Sequence, residues 1–423
     1  MNHSRNTSGT PDLRTRPRHP ASDAAELALG GGRRTVARGR PSRAAGTTAG
    51  LKDSGLPDLA LVVNDGPQRA AAGVFTANRV KAAPVLWSQQ VLRGGIVRAV
   101  VLNSGGANAC TGPQGFQDTH ATAEHTAAVL RRGGKPMLIG AGDVAVCSTG
   151  LIGERLPMDR LLPGVGAAAR ALTRDGGPAA AAAIMTTDTV PKTTVVAGSG
   201  WSVGGMAKGA GMLAPAMATM LCVLTTDAVV GPDALDAALR SACRVTFDRV
   251  DADGCMSTND TVLLLASGAA GVEPTDEELV AAVTAACHDL AQQLVADAEG
   301  ATKQVAIEVL GAESEDDAVE VGRAVARNSL VKTALFGNDP NWGRILAAVG
   351  TTAAAFTPDR IDVAVNGVWV CRNGGAAEDR SKVDLSGRDV SIRIHLHEGE
   401  ATATIWTTDL SHGYVHENSA YSS

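Results

Sequence analysis

GGMAKGAGMLAPAMATM, residues Gly204–Met220, runs directly into LCVLTT, residues Leu221–Thr226. The first part is Gly-rich and the second is a continuous apolar run. Lys208 and Thr219 are the main polar side chains before Met220. A lone lysine in so apolar a setting either lays its stem along an apolar edge with its head in water or holds an anion. A lone threonine after Met217-Ala218 is ordinarily a core threonine bonded to backbone. A second Gly-rich stretch, NSGGANACTG (Asn103–Gly112), follows IVRAVVLN (Ile96–Asn103), which reads as a buried strand. Such a turn can point several backbone N–H groups into one concavity, as an oxyanion site requires. The plain alternative is an ordinary Gly-rich connection.

Around these stretches the pattern is mixed. DLALVVN (Asp58–Asn64) reads as another buried strand, and Gln117–Arg132 carries apolar residues at helical spacing. Thr275–Ala298 is the clearest helix. Thr275 and Glu278 form a capping box, and Leu279, Val283, Cys287, Leu290 and Leu294 make one apolar stripe. Val390–His397 and Ala401–Trp406 alternate with period two about Glu398-Gly399-Glu400, which predicts a hairpin. Phe247–Gly268 reads as a strand pair about Asp251-Ala252-Asp253-Gly254. Strands and helices do not alternate regularly and no internal repeat is visible, so the expected class is layered α and β (α+β) with mainly antiparallel or mixed sheets.

Composition narrows the functional classes. With 423 residues, the chain is long enough for two or three domains or one large one. Aromatic residues make up only 3%, so Ala, Val, Leu and Ile must build the core. A formal charge of -6 argues against a nucleic-acid binder. No apolar run approaches the ~18 residues of a membrane span, so no membrane association is expected. Seven widely spaced cysteines without a C-x-x-C pair predict reduced thiols and a cytoplasmic setting. Residues 1–45 hold nine Arg against Asp12, Asp23 and Glu26 and show no apolar periodicity, which predicts a disordered extension. Its composition fits an organelle transit peptide or an upstream extension. Walker A, H-E-x-x-H and G-x-S-x-G patterns are lacking. The Asp251–Gly254 run lacks the downstream Glu of a calcium loop. No metal site is expected.

The stretch KGAGMLAPAMATML from Lys208 resembles the self-processing segment of the ornithine acetyltransferase (glutamate N-acetyltransferase) family. Further stretches match in order: VFTANRVKAAPVLWS from Val74, NSGGANACTG from Asn103, STGLIGERLP from Ser148 and MTTDTVPK from Met185. FDRVDADGCMSTNDTVLLLASG from Phe247, EGATK from Glu299, FGNDPNWGRILAAVG from Phe336 and the final YVHENSAYSS from Tyr414 follow. The resemblance covers the chain from about residue 45 to its end. Two departures stand out. Gly106 occupies a position where the family form has Asn, which predicts a looser loop, and the first 45 residues differ from the family's shorter, more apolar start.

The resemblance implies an αββα-like layered sandwich with a smaller C-terminal α/β region. It implies self-cleavage between Ala218 and Thr219 into an α chain (46–218 after the extension) and a β chain (219–423), assembling to an α2β2 heterotetramer. It assigns the nucleophile to Thr219, the oxyanion site to Thr111 and Gly112, and substrate contacts to Thr186, Lys208, Thr219, Glu299, Asn418 and Ser423. Thr187 is an alternative to Thr186. Lys208 would meet an α-carboxylate, Glu299 an ammonium group, and the Ser423 terminus would add a second anion. The implied reaction moves acetyl from N2-acetyl-L-ornithine to L-glutamate in arginine biosynthesis. It uses no metal or organic cofactor, with acetyl-CoA an additional donor in some relatives. Asp339–Arg344 is expected as a turn lining the site, and Arg155 and Arg344 as carboxylate contacts or ion pairs. The rival readings are a paralogous acetyltransferase of secondary metabolism, a self-processing amidohydrolase or peptidase, and a non-enzymatic binding protein.

Overall fold

A computed structural model describes residues 42–132, 137–213 and 220–420. Nine strands precede residue 270: β1 (Ser42–Thr47), β2 (Leu59–Asn64), β3 (Ala70–Phe75), β4 (Ala99–Asn103), β5 (Val144–Ser148), β6 (Lys192–Ala197), β7 (Ser202–Lys208), β8 (Leu221–Thr226) and β9 (Thr261–Ala266). They form a four-stranded sheet, β1-β2-β4-β5, and a five-stranded sheet, β3-β9-β8-β7-β6. Both sheets mix parallel and antiparallel pairs.

Period-two alternation explains the stacking. Ala60, Val62, Val100, Leu102, Ala145 and Cys147 share one core with Met206, Leu221, Val223, Leu263 and Leu265 of the second sheet. The alternate residues Leu59, Leu61, Val63, Val101 and Val146 pack instead with Ala123, Ala127, Leu161 and Val165. Those partners lie on the helices Gly112–Arg132 and Met158–Ala171. On the far side, Cys222, Leu224, Val262 and Leu264 pack on Leu235, Leu239, Val283, Cys287 and Leu290 of the helices Pro232–Val245 and Asp276–Ala296. The layers therefore run helix, sheet, sheet, helix, which is the expected αββα sandwich. Strands covered on both faces read as unbroken apolar runs, which is why β2, β4, β8 and β9 are buried along their whole length.

The helix Asp276–Ala296 carries the predicted capping box, with the Glu278 amide donating to Thr275 Oγ1 and Thr275 amide to Glu278 Oε2. It is long and apolar enough to cross a membrane, yet all five residues of its stripe are buried in the sandwich. The seven cysteines are free thiols.

Beyond residue 300 a second core is built on β10 (Gln304–Ala312), β11 (Asp362–Val365), β12 (Val368–Arg372), β13 (Gly375–Ala376), β14 (Asp389–His395) and β15 (Ala401–Thr408). These six form one sheet, β13-β12-β11-β14-β10-β15, with the helices Glu315–Arg327 and Trp342–Val349 contributing to its core.

Three expectations are corrected. β14 and β15 are not a hairpin: β10 lies between them, parallel to β14 and antiparallel to β15. Phe247–Gly268 is not a strand pair, because Phe247–Arg249 is a 3-10 turn and β9 pairs with β3 and β8. Residues 42–45 lie in β1 rather than in an unstructured extension, because Ala44 and Ala45 are buried and the strand pairs with β2 along its length. Residues 1–41 lie outside the described residues.

Leu290→Ala removes a fully buried side chain from the interface between helix and sheet. It should cost about 2–5 kcal/mol of stability, read as a lower urea midpoint with an unchanged slope.

Candidate active site

The end of β4 feeds the Gly-rich loop, and side chains hold that loop in a fixed shape. Asn103 Nδ2 donates to Ser148 Oγ at 2.7 Å, which ties the ends of β4 and β5 together. Asn108 and Cys110 lie in the left-handed region, at φ 50° and 58°, and Gly112 follows at 64°. Only glycine reaches that region without a Cβ penalty. Asn108 Oδ1 accepts from Thr111 Oγ1 at 2.7 Å, and Asn108 Nδ2 donates to the Gly115 carbonyl and to Thr119 Oγ1. Asn259, from the stretch before β9, donates to the carbonyls of Ala107 and Ser148 at 2.6 and 2.8 Å. Among the described residues no hydrogen bond engages the amide N–H of Thr111 or Gly112. These two donors lie at the start of a helix, where backbone N–H groups lack intrahelical partners. Gly106 is buried, and a Cβ there would sit 3.1 Å from Leu156 Cδ2.

Lys208 ends β7 and is almost wholly buried. Its Nζ lies 3.5 Å from Thr149 Oγ1 and 3.8 Å from Asp188 Oδ2. Burial lowers the pKa of this ammonium. Asp188 is the strongest opposing influence, Lys192 lowers it further, and Asp260 and Glu299 raise it. Thr186 belongs to the same cluster, because its amide donates to Asp188 Oδ2 at 3.0 Å. Thr187 makes no such bond among the described residues. Glu299 is buried, its amide donates to the Ala210 carbonyl at 2.9 Å, and its Oε2 accepts from Asn418 Nδ2 at 3.0 Å. The Glu299 carboxyl lies against Gly211, where a Cβ would fall 2.6 Å from Oε2. Asn418 arrives on the helix His412–Ala420.

Thr186, Lys208, Glu299 and Asn418 are thus brought together. Asn259 and the Ser148–Thr149 pair join this group to the loop carrying Thr111 and Gly112. Ala218, Thr219 and Ser423 lie outside the described residues. The described ends beside residues 214–219 are both anchored on carboxylates. The Leu213 amide donates to Asp253 Oδ2 at 3.2 Å, and the Met220 amide donates to Asp260 Oδ1 at 3.0 Å. Arg155 makes a bidentate pair with Asp118, and Arg344 donates to the Leu330 carbonyl, so neither is tied to this group. Asn341 caps the helix Trp342–Val349 in the C-terminal core.

Asp188 and Asp260 were not singled out in the sequence, and Asp253 was read only as part of the Asp251–Gly254 turn. The signal available for Asp188 was an acid four residues before Lys192, inside MTTDTVPK. Nothing local marks Asp260, whose neighbours come from β7, β8 and β9. Among the described residues no group of three or more His, Cys, Asp or Glu side chains could hold a metal ion.

A buried lysine and a buried glutamate lie at the ends of sandwich strands, near a loop whose two N–H donors are unengaged among the described residues, on an αββα-layered fold. The ArgJ family model matches residues 43–423, and the chain belongs to the ArgJ family. It is 67% identical over 380 residues to the arginine biosynthesis bifunctional protein ArgJ of Streptomyces coelicolor, covering 90% of this chain and 97% of that protein. The protein of the same name from Thermobifida fusca is 63% identical over 380 residues, again covering 90% and 97%. Among solved structures, ornithine acetyltransferase from Mycobacterium tuberculosis complexed with ornithine is 62% identical. The match covers 43% of this chain and 95% of that chain, with a TM-score of 0.42.

Burial pushes the Asp260 carboxyl well above its ordinary range, against the Met220 amide, the Ser257 hydroxyl and Lys208. Above the ordinary carboxylate range the unfolded chain releases this proton while the folded chain keeps it, so stability falls as pH rises toward the folded pKa. Asp260→Asn keeps an acceptor for Met220 and removes the titration. The fall in stability as pH rises above the ordinary carboxylate range should flatten in urea titrations taken across a pH series.

Proposed function

We propose that the chain is an acetyltransferase of arginine biosynthesis. It moves the acetyl group of N2-acetyl-L-ornithine to L-glutamate through an acetyl ester on Thr219, after cutting itself between Ala218 and Thr219. The observation that carries this reading is the buried Lys208, set among Asp188, Thr186 and Glu299 and joined through Thr149 to the Thr111–Gly112 loop. Lys208 ends the strand paired with β8, and the Lys208–Leu221 register places it opposite the residue two positions after Thr219.

Before cleavage, Thr219 Oγ attacks the Ala218 carbonyl, and water hydrolyses the resulting ester. The products are a carboxylate on Ala218 and a free α-amine on Thr219. That amine has an ordinary pKa of roughly 7.7–8.0, close to working pH, where a general base is most effective. Hydroxyl and base then belong to one residue. In the transfer, the Thr219 oxygen attacks the acetyl carbonyl while its proton passes to the α-amine. The oxygen that gains charge is met at the Thr111–Gly112 loop; one such donor is typically worth about 100–1000-fold in rate. The proton goes to the departing ornithine nitrogen, and the ester is taken by the amine of glutamate. Lys208 holds the α-carboxylate, Thr186 lines the same end, and Glu299 with Asn418 faces the ammonium group. Ser423 completes that end.

The scheme uses no metal or organic cofactor, because Thr219 carries the acyl group. The protein works in the cytoplasm as an α2β2 heterotetramer, without nucleic acid or membrane as partner. Parallel assays with N-acetylornithine and acetyl-CoA decide whether the second donor is used. Acetate release independent of added glutamate would identify a hydrolase instead.

On a denaturing gel the purified protein should give two bands, each about half the precursor mass, one beginning Thr-Met-Leu-Cys. Thr219→Ala should give one full-length band and no acetyl transfer. Full activity in an uncut preparation would defeat the scheme. Lys208→Ala should leave cleavage intact and raise KM for both amino-acid substrates about tenfold or more, the scale of a lost charged hydrogen bond, with a smaller change in kcat.

A further inference from the structure

Two lysines are buried side by side in this protein, and they are held very differently. Lys192 opens β6, where it pairs in register with Ala207, the residue before Lys208. Its Nζ donates to Asp188 Oδ1 at 2.7 Å, to Asp297 Oδ2 at 2.6 Å and to the Val190 carbonyl at 3.3 Å. All three hydrogens of that ammonium are committed. Among the described residues Lys208 has one long hydrogen bond, to Thr149, and an ion-pair contact to Asp188 at 3.8 Å. A buried ammonium without compensation is costly, so Asp188 is the described anion that lets Lys208 carry charge.

Asp188 is the group shared by both. Its Oδ1 accepts from Lys192 and from the Gly209 amide at 2.6 Å, and its Oδ2 accepts from the Thr186 amide and faces Lys208. We propose that Asp188 is the positioning residue of the substrate pocket: it fixes Thr186, Lys208 and the Gly209 turn in one geometry, while Lys192 and Asp297 brace it from behind. The proposal rests on the reading of Lys208 and Thr186 as substrate contacts.

The geometry extends to the other end of the substrate. Asp297 ends the helix Asp276–Ala296, where its amide donates to the Gln293 carbonyl, and its carboxylate accepts from the amide and hydroxyl of Thr189; it lies two residues before Glu299. Glu299 is itself bound through its amide to Ala210, one residue beyond the turn that Asp188 holds. Lys52 braces the Thr186 segment from the opposite side, donating to the carbonyls of Met185 and Pro57 at 2.6 and 3.0 Å. The titratable groups acting on Lys208 are therefore Asp188, Lys192, Asp260 and Glu299, with Lys52 close enough to be affected in turn. Burial opposes ionisation of Asp188, yet Lys208 and Lys192 together hold its carboxyl well below the usual carboxylate range. It therefore stays negative across the working range of the enzyme.

The test is steady-state kinetics of Asp188→Asn across pH, beside Lys208→Ala and Asp297→Asn, with cleavage checked on a gel. Asp188→Asn keeps the shape and an acceptor oxygen but removes the charge that favours a protonated Lys208. KM for N-acetylornithine and for glutamate should rise about tenfold or more, with kcat changed less. The rise of KM with pH should begin at lower pH than in the wild type, and acidification should restore binding. Asp297→Asn should shift the profile in the same direction by a smaller amount, and it carries the test if Asp188→Asn does not fold. If Lys208→Ala raises KM while Asp188→Asn leaves KM and its pH profile unchanged, the positioning role is overturned and the substrate reading stands. If Asp188→Asn folds but Asp297→Asn keeps the wild-type profile, the bracing from behind is overturned. If Lys208→Ala leaves KM unchanged, the substrate reading itself fails.

Discussion

The pocket depends on keeping a charge where water is absent. Lys208 is enclosed by the sandwich, and an isolated ammonium there would neutralise rather than remain charged. Asp188 counters this at 3.8 Å. Asp188 is itself kept ionised by two lysines and by the amides of Thr186 and Gly209. The result is a set of compensating charges centred on Asp188. Such a set is a poor source of net stability. Its value lies in geometry, because Asp188 accepts from Lys192, Gly209 and Thr186 at once and so ties three segments to one carboxylate.

The sandwich explains how a chain could be cut beside this pocket and remain whole. In the five-stranded sheet, β3, β7 and β6 precede residue 219, whereas β9 and β8 follow it. The ladders β3–β9 and β7–β8 each join strands from opposite sides of that point. β8 is held on both edges, antiparallel to β7 and parallel to β9. A break before Met220 removes one covalent link and none of these ladders. Apolar contacts bind the two halves further, since Leu221, Val223, Leu263 and Leu265 pack against Val62, Val100 and Leu102. Anchoring of the Met220 amide on buried Asp260 would keep a new end from fraying.

The features legible in the sequence were those written locally. The strands ending at Asn64 and Asn103 and the stripe and capping box of the long helix need only neighbours within a few residues, and the resemblance supplied the layering and four of the gathered side chains. What was not legible depends on distant partners. The Val390–Ala401 region has the alternation and turn of a hairpin, but β10, from some eighty residues earlier, takes the place between its strands. The turn can close only because Glu398 and Gly399 bond back to the Gly311 carbonyl. Asp188 has the same character. Locally its side chain bonds back to the Thr186 amide, and its importance comes from Lys208 and Gly209, twenty residues on, and through Lys192 from Asp297.

The C-terminal region is part of the same argument. Its sheet contributes no layer to the sandwich, yet its last residues bring Asn418 onto Glu299. Asp409 accepts from the amides of Thr302 and Lys303 at 2.8 and 2.9 Å, and Ser411 Oγ donates to the Gly300 carbonyl at 2.5 Å. At Gly300 a Cβ would come within 2.1 Å of the Tyr414 backbone nitrogen, with φ at 61°, so only glycine lets the two segments meet. The same junction holds buried Lys332, which burial brings down to about 8 against Asp409, Asp253 and Asp251. Asp253 in turn anchors the Leu213 amide, at the other described end beside residues 214–219. The C-terminal region thus reaches Glu299 directly through Asn418, and Asp253 indirectly through the charge of Lys332. Because the Glu299 amide also bonds to Ala210, next to the Gly209 amide that Asp188 holds, a displacement of the C-terminal region would reach the Asp188 cluster through the same short segment.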